Sequence, residues 1–214
     1  MVWLVAMVVG AGAAWGADCD APYALDTLAD DLGAIEAGIL SADAAVAERG
    51  AALEKGLSCL DGVLPRVVVG RAYRAVAVAQ SGDEGAAAWF TTAAAVDPGF
   101  QYSLEELPSD DHPAFTAWRE ALEKPVPELK QAVGYVWASG TFYLDGRRMS
   151  WPGAEDGMPH LLQRSLDGAV TTWRLDGDGM PADVLVADAK PVVDAPVGPL
   201  KTQGHSTVTV EKAK

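Results

Sequence analysis

Lys124-Pro125-Val126-Pro127 is where this chain changes character. Two prolines in three residues cannot continue a helix and favour an extended connection. Before them the apolar residues recur at intervals of three and four. After them they alternate. The expected fold class is therefore α+β, with an N-terminal stack of α-helical hairpins and a small C-terminal antiparallel β-domain. The expected organisation is a signal peptide over 1–16, a helical domain over 17–124, a Pro-rich linker over 125–129, a β-domain over 130–187 and a disordered tail over 188–214.

On the helical side, Leu25, Leu28, Leu32, Ile35 and Ile39 share one face of a first helix, with Pro22 and Asp26 near its start. Ser41 or Asp43 can cap a second helix. It carries Val46, Leu53, Leu57 and Leu60 and stops at Asp61-Gly62. Pro65 opens a third, through Val69, Tyr73, Val76 and Ala77 to Gln80. A fourth presents Ala86, Trp89, Phe90 and Ala93 and ends at Asp97-Pro98-Gly99. A short fifth starts near Pro113, with Phe115, Trp118 and Leu122. Short loops make neighbouring helices antiparallel. Helices one and two then form a hairpin with Cys19 before its first helix and Cys59 in the last turn of its second. A Cys19–Cys59 disulfide would staple the open end, and closing a ~40-residue loop contributes about 4 kcal/mol as an upper figure.

On the strand side, alternation over 133–138 marks one strand and Thr141–Leu144 a second. Asp145-Gly146 is a hairpin turn. Pro159–Gln163 is a third strand, Asp167-Gly168 another turn, Val170–Leu175 a fourth strand and Val184–Val186 a fifth. The tail from Ala189 is rich in Pro, Val, Gly and Lys and has no apolar period.

At the other end, Met1 to Gly16 has no charged side chain and reads as the apolar core of a secretory signal, with Ala14-Trp15-Gly16 before a cut at Ala17. No basic residue precedes the apolar run. The expected localisation is export to the periplasm or cell surface. Roughly 198 residues remain after cleavage, enough for one or two domains with real cores and with no further membrane span. Two cysteines suit an oxidising compartment. The net charge of −14 argues against nucleic acid and anionic lipid as partners.

Residues 66–99 resemble one tetratricopeptide repeat, a 34-residue helix pair. Ala86, Phe90, Ala93 and Asp97-Pro98 match its second helix. Its first helix departs from the pattern, with Gly70, Arg74 and Ala77 where the family has an aromatic, a small residue and a tyrosine. The β-segment resembles a diverged PEGA-type module, a small bacterial surface domain. That resemblance rests on Phe142-Tyr143-Leu144-Asp145-Gly146 and on Gly157-Met158-Pro159-His160-Leu161-Leu162-Gln163; Trp151-Pro152-Gly153 replaces the family's middle turn. Together these imply a non-enzymatic bacterial envelope protein that acts as an interaction or scaffold module. Its expected partner is another envelope protein, with cell-wall polysaccharide as the alternative. A secreted hydrolase and a purely structural assembly subunit are the competing classes. In tetratricopeptide-like stacks the first helix of each pair lines the groove, which points to Arg66, Arg71 and Arg74 as candidate partner-binding residues. Arg71 and Arg74 share a helix face and could hold a partner's carboxylates. They could equally neutralise Glu48, Glu54 or Asp83 of the same chain.

Other chemistry is sparse. His112, His160 and His205 lack metal-ligand spacing. Asp176-Gly177-Asp178-Gly179 with Asp183 lacks the closing Glu of a calcium loop and reads as a turn. Ser139, Ser150 and Ser165 sit in no nucleophile elbow. Glu105-Glu106 and Asp110-Asp111 read as solvated acids. No catalytic residue, cofactor or metal is expected. Trp137, Phe142, Tyr143, Trp151 and Trp173 crowd into one short region. Two readings stand for this set. Trp137, Tyr143, Trp151 and Trp173 form an exposed aromatic surface for sugars or a partner, or the large residues fill a thin core.

Overall fold

The computed structural model describes residues 19–83, 85–125, 129–154, 157–176 and 180–188. The expected signal peptide, the calcium-like turn at 177–179, His205 and the tail from Ala189 lie outside the described residues. The fold is α+β, with N-terminal helices and C-terminal strands. Five helices come first: α1 (Leu25–Leu40), α2 (Val46–Leu57), α3 (Arg66–Ala79), α4 (Ala86–Val96) and α5 (Pro113–Glu123). The strands follow: β1 (Lys130–Gln131), β2 (Tyr135–Trp137), β3 (Thr141–Leu144), β4 (Arg147–Met149), β5 (Gly153–Ala154), β6 (Pro159–Leu166), β7 (Ala169–Asp176) and β8 (Leu185–Ala187). No helix among the described residues is long and apolar enough to cross a membrane.

The helices form because their apolar stripes find one another. Leu28, Leu32, Ile35 and Ile39 of α1 and Leu53 and Leu57 of α2 are buried on a common core. Leu25, expected on the same stripe, is half-exposed and lies where a side chain on Gly62 would be. α3 is central, buried almost all round from Val69 to Ala79. Its small residues permit this. An added Cβ at Gly50 of α2 would fall 2.3 Å from the Ala79 Cβ, so these two helices meet at near-backbone contact. α2 stops at Leu57, earlier than its stripe suggests, because the next residues pair with the N-terminal segment. The Tyr23 N–H donates to the Cys59 carbonyl at 2.7 Å, and Tyr23 bridges to Leu60. Cys59 therefore lies past the helix rather than in its last turn. It forms the disulfide with Cys19 at the open end of the hairpin. α5 starts at Pro113, where the missing N–H costs nothing, and the His112 Nδ1 accepts from the Ala114 N–H at 3.2 Å. His112 is thus a helix cap, and burial holds its pKa below the ordinary imidazole value.

The main sheet has the order β4-β3-β6-β7 and is antiparallel throughout. Both of its hairpins turn on Asp-Gly. Asp145 and Gly146, and Asp167 and Gly168, all have positive φ, as a two-residue type I′ turn needs. The expected strand over 133–138 is shorter. Val133 and Gly134 form a turn, and β2 pairs with distant β8 in a separate two-stranded ribbon. β1 and β5 make a second ribbon. One face of the main sheet meets the helices, so Leu161 belongs to the helical core. The other face builds a second core from Phe142, Leu144, Leu162, Leu175, Met149 and Val184.

Part of the contact between helices and sheet is a buried polar network centred on Gln163. Gln163 of β6 has no exposed surface. Its Oε1 accepts from the Leu64 N–H at 2.8 Å; its Nε2 donates to the Gly62 carbonyl at 2.9 Å and to Thr172 Oγ1 at 3.2 Å. Thr172 in turn donates to the Leu60 carbonyl at 3.0 Å. The sheet thereby meets backbone groups of the 60–64 loop that its bridge to Tyr23 leaves unpaired. Gln163→Leu keeps the volume but strands an N–H and a carbonyl, so it is expected to cost about 2–4 kcal/mol. Urea unfolding of the variant checks this; a midpoint shift within error of wild type would show the loop is not held by Gln163.

Candidate functional site

Among the described residues, two concave surfaces flank α3. The first is an open groove of about 460 Å³ between α1, α3 and the 100–107 loop. Ile39, Leu40, Val78 and Leu107 supply its apolar surface, and Glu105 and Glu106 stand at its rim. The expected arginines Arg71 and Arg74 both line it. Their charges are met within the chain. Arg71 holds Glu36 of α1 through Nε and Nη2, each at 2.6 Å, with both side chains half in solvent. Arg74 is 8% exposed and pairs with Asp97 at 2.8 Å. Its guanidinium lies 3.6 Å from the centre of the Phe100 ring. Phe100, Tyr102, Phe115 and Trp118 pack edge to face beyond it. Arg74 therefore joins the α4–α5 connection to α3. Neither arginine uses Glu48, Glu54 or Asp83; Glu54 is bound by Arg174 of β7 at 2.7 Å.

Arg66 sits elsewhere, at the start of α3. Its Nε donates to the Val96 carbonyl at 2.7 Å and its Nη2 to the Ala95 carbonyl at 2.9 Å, which caps the C-terminus of α4. Arg66 lines the second concave surface, a cleft of about 390 Å³ where the end of α4 meets the β3–β4 hairpin. Asp145 and His160 lie in its wall. Asp145 Oδ1 accepts from the Tyr73 hydroxyl at 2.5 Å and from the Leu161 N–H at 2.9 Å, and Oδ2 lies 2.7 Å from the His160 Nδ1. Burial, followed by the adjacent Asp145 carboxylate, raises the Tyr73 pKa well above the ordinary phenol value. The His160 Nε2 is buried with no hydrogen-bond partner among the described residues. Sequence reading missed this triad. Its members lie on α3, a hairpin turn and β6, and only the turn carried a local signal.

The aromatic set divides between the sheet's faces. Trp137 stacks on Phe142 with ring centres 4.3 Å apart and planes 6° from parallel. Trp137, Trp151 and Trp173 are half-buried against the second core, and the Arg164 guanidinium lies 5.4 Å from the Trp173 ring centre. Tyr143 is half-buried at a position opposite Gln163, on the helix-facing side. The three tryptophans pack against the second core while Tyr143 lies on the other face, so the four do not share one face. No group of acids, histidines and cysteines that could hold a metal occurs among the described residues.

Compared with protein-family models, curated proteins and solved structures, the chain matches none.

Proposed function

We propose that this chain is an exported, non-enzymatic interaction module of the bacterial envelope, whose helical layer holds a segment of another envelope protein. The α1/α3 groove carries this reading. Leu40 is 44% exposed at its edge, and apolar surface open to solvent beside charged rims suits a partner better than water. With Arg71 and Arg74 internally paired, the groove's remaining charge is that of Glu105 and Glu106. A segment that mixes apolar with basic residues complements it, in keeping with a chain of net charge −14. The resemblance to tetratricopeptide repeats supports a protein-binding role. The PEGA-like segment supports placement at the cell surface, and the disulfide an oxidising compartment.

Affinity purification of the mature protein from its own envelope fraction, beside the variant Leu40→Glu with Glu105→Lys and Glu106→Lys, tests this. The expected result is a recurrent protein partner that the variant loses while its circular dichroism is unchanged. Partner capture by the variant at the wild-type level moves the binding surface elsewhere. Retention on peptidoglycan or polysaccharide alone favours the cell-wall reading. Stable homo-oligomers with no other partner favour a structural subunit.

A further inference from the structure

We propose that the cleft between the end of α4 and the β3–β4 hairpin binds a small carboxylate with an apolar body, held by Arg147 and the Nε2 of His160. The cleft is separate from the α1/α3 groove, and at about 390 Å³ it falls in the range of small-molecule sites. Its apolar wall comes from Leu144, Met149 and Trp151; Arg66, Arg147 and His160 supply the polar groups. The one acid in the wall among the described residues is already spent. Both oxygens of Asp145 turn to Tyr73, the Leu161 N–H and His160, which leaves donors in excess.

The His160 ring is fixed in the way a binding imidazole needs. Asp145 holds Nδ1 at 2.7 Å and so sets the ring's orientation. Nε2 lies across the ring from that bond. His160 is 7% exposed, and its Nε2 is a buried polar atom that none of the described residues satisfies. Arg147, on exposed edge strand β4, has a guanidinium with no ion pair among the described residues. Both residues line the cleft, and a carboxylate is the group whose chemistry complements the two together. The guanidinium fork offers two parallel N–H donors to its two oxygens. Nε2 either donates to the carboxylate or accepts from the carboxylic acid, and in both cases the same single proton lies between them. The apolar body then covers Leu144, Met149 and Trp151. Arg66 contributes field at the mouth while two of its nitrogens remain on the α4 carbonyls.

Octanoate is the probe, followed by calorimetry and by NMR of the histidine ring nitrogens in the oxidised, full-length mature protein. Saturable binding that moves the His160 Nε2 resonance is expected. 1-Octanol, with the same tail and no charge, should bind about tenfold weaker or worse, as should octanoate to Arg147→Gln, because each loses a charge-assisted bond. Arg147 is exposed, so that variant keeps its fold and unfolding midpoint where His160→Gln could lose them. The proposal is overturned if octanoate leaves Nε2 unmoved. It is equally overturned if 1-octanol or Arg147→Gln gives wild-type affinity, which would mean apolar adsorption only.

Discussion

Gly146→Ala unfolds more easily than Gly168→Ala by about 2 kcal/mol or more, although both glycines occupy the same place in the same kind of turn. Each follows an Asp at positive φ, and each has positive φ itself, +74° for Gly146 and +82° for Gly168. Strain from a side chain in that backbone region is therefore shared and costs about 1–2 kcal/mol at each site. The surroundings differ. A Cβ at Gly168 meets nothing within 4 Å. One at Gly146 would lie 2.5 Å from the Arg66 nitrogen, 2.6 Å from its Cα and 2.9 Å from the Leu64 carbonyl oxygen. Those are backbone atoms at the start of α3 and cannot rotate away. Relief requires the β3–β4 hairpin to lift off the helix, which strains the Tyr73–Asp145 bond and the cleft around His160. Chemical denaturation of the two variants side by side reads the difference directly. Equal losses would mean that the hairpin tip does not press on α3.

Loss of the disulfide is the second large effect. Cys19→Ala with Cys59→Ala is expected to lose about 3–4 kcal/mol, the loop-entropy value for a link across 40 residues. The bond acts where little else holds the chain. Residues 19–24 precede α1 and are tied to the 59–61 segment by two backbone bonds, Tyr23 N–H to the Cys59 carbonyl at 2.7 Å and Asp61 N–H to the Tyr23 carbonyl at 3.3 Å. The Tyr23 ring covers Gly56, where an added Cβ would come within 3.0 Å, and its hydroxyl donates to Asp31 at 2.5 Å. Without the cross-link these contacts must be formed from a freer chain. A denaturation midpoint that does not change on adding reductant to wild type, with the thiols shown to be released, would refute the expectation. Non-reducing digestion and mass spectrometry of the protein isolated from its source cells should find the two cysteine peptides joined.

Much of this architecture follows from local pattern. A stripe such as Leu28, Leu32, Ile35 and Ile39 specifies both a helix and its buried face, because a 3.6-residue period leaves one side apolar. Asp145-Gly146 and Asp167-Gly168 specify tight hairpins, because few other pairs accept two positive φ values in succession. Antiparallel helix packing with short loops was enough to bring Cys19 beside Cys59. The change of period across Lys124-Pro125-Val126-Pro127 separated helix from strand.

What the pattern could not carry is which buried face meets which. Alternation marks Tyr135–Trp137 as a strand but is silent on its partner, and the strand it pairs with, Leu185–Ala187, lies about fifty residues on. Gln163 looks like a polar interruption in an apolar strand until the sheet lies on the 60–64 loop, whose unpaired backbone groups it satisfies. Arg74 reads as a solvent-facing partner of Arg71 at helical spacing. In the fold, Asp97 and Phe100 come from beyond the next helix to enclose it. The aromatic cluster is ambiguous in one dimension, because a strand's alternation is the same whether the second face meets water or a ribbon such as β2–β8. His160 and Asp145 are fifteen residues apart, and Tyr73 joins them from another layer. The spacing of residues along the chain encodes local geometry, whereas a polar site depends on distances between elements, and those exist only once the cores have closed and unmet backbone and side-chain groups have found each other.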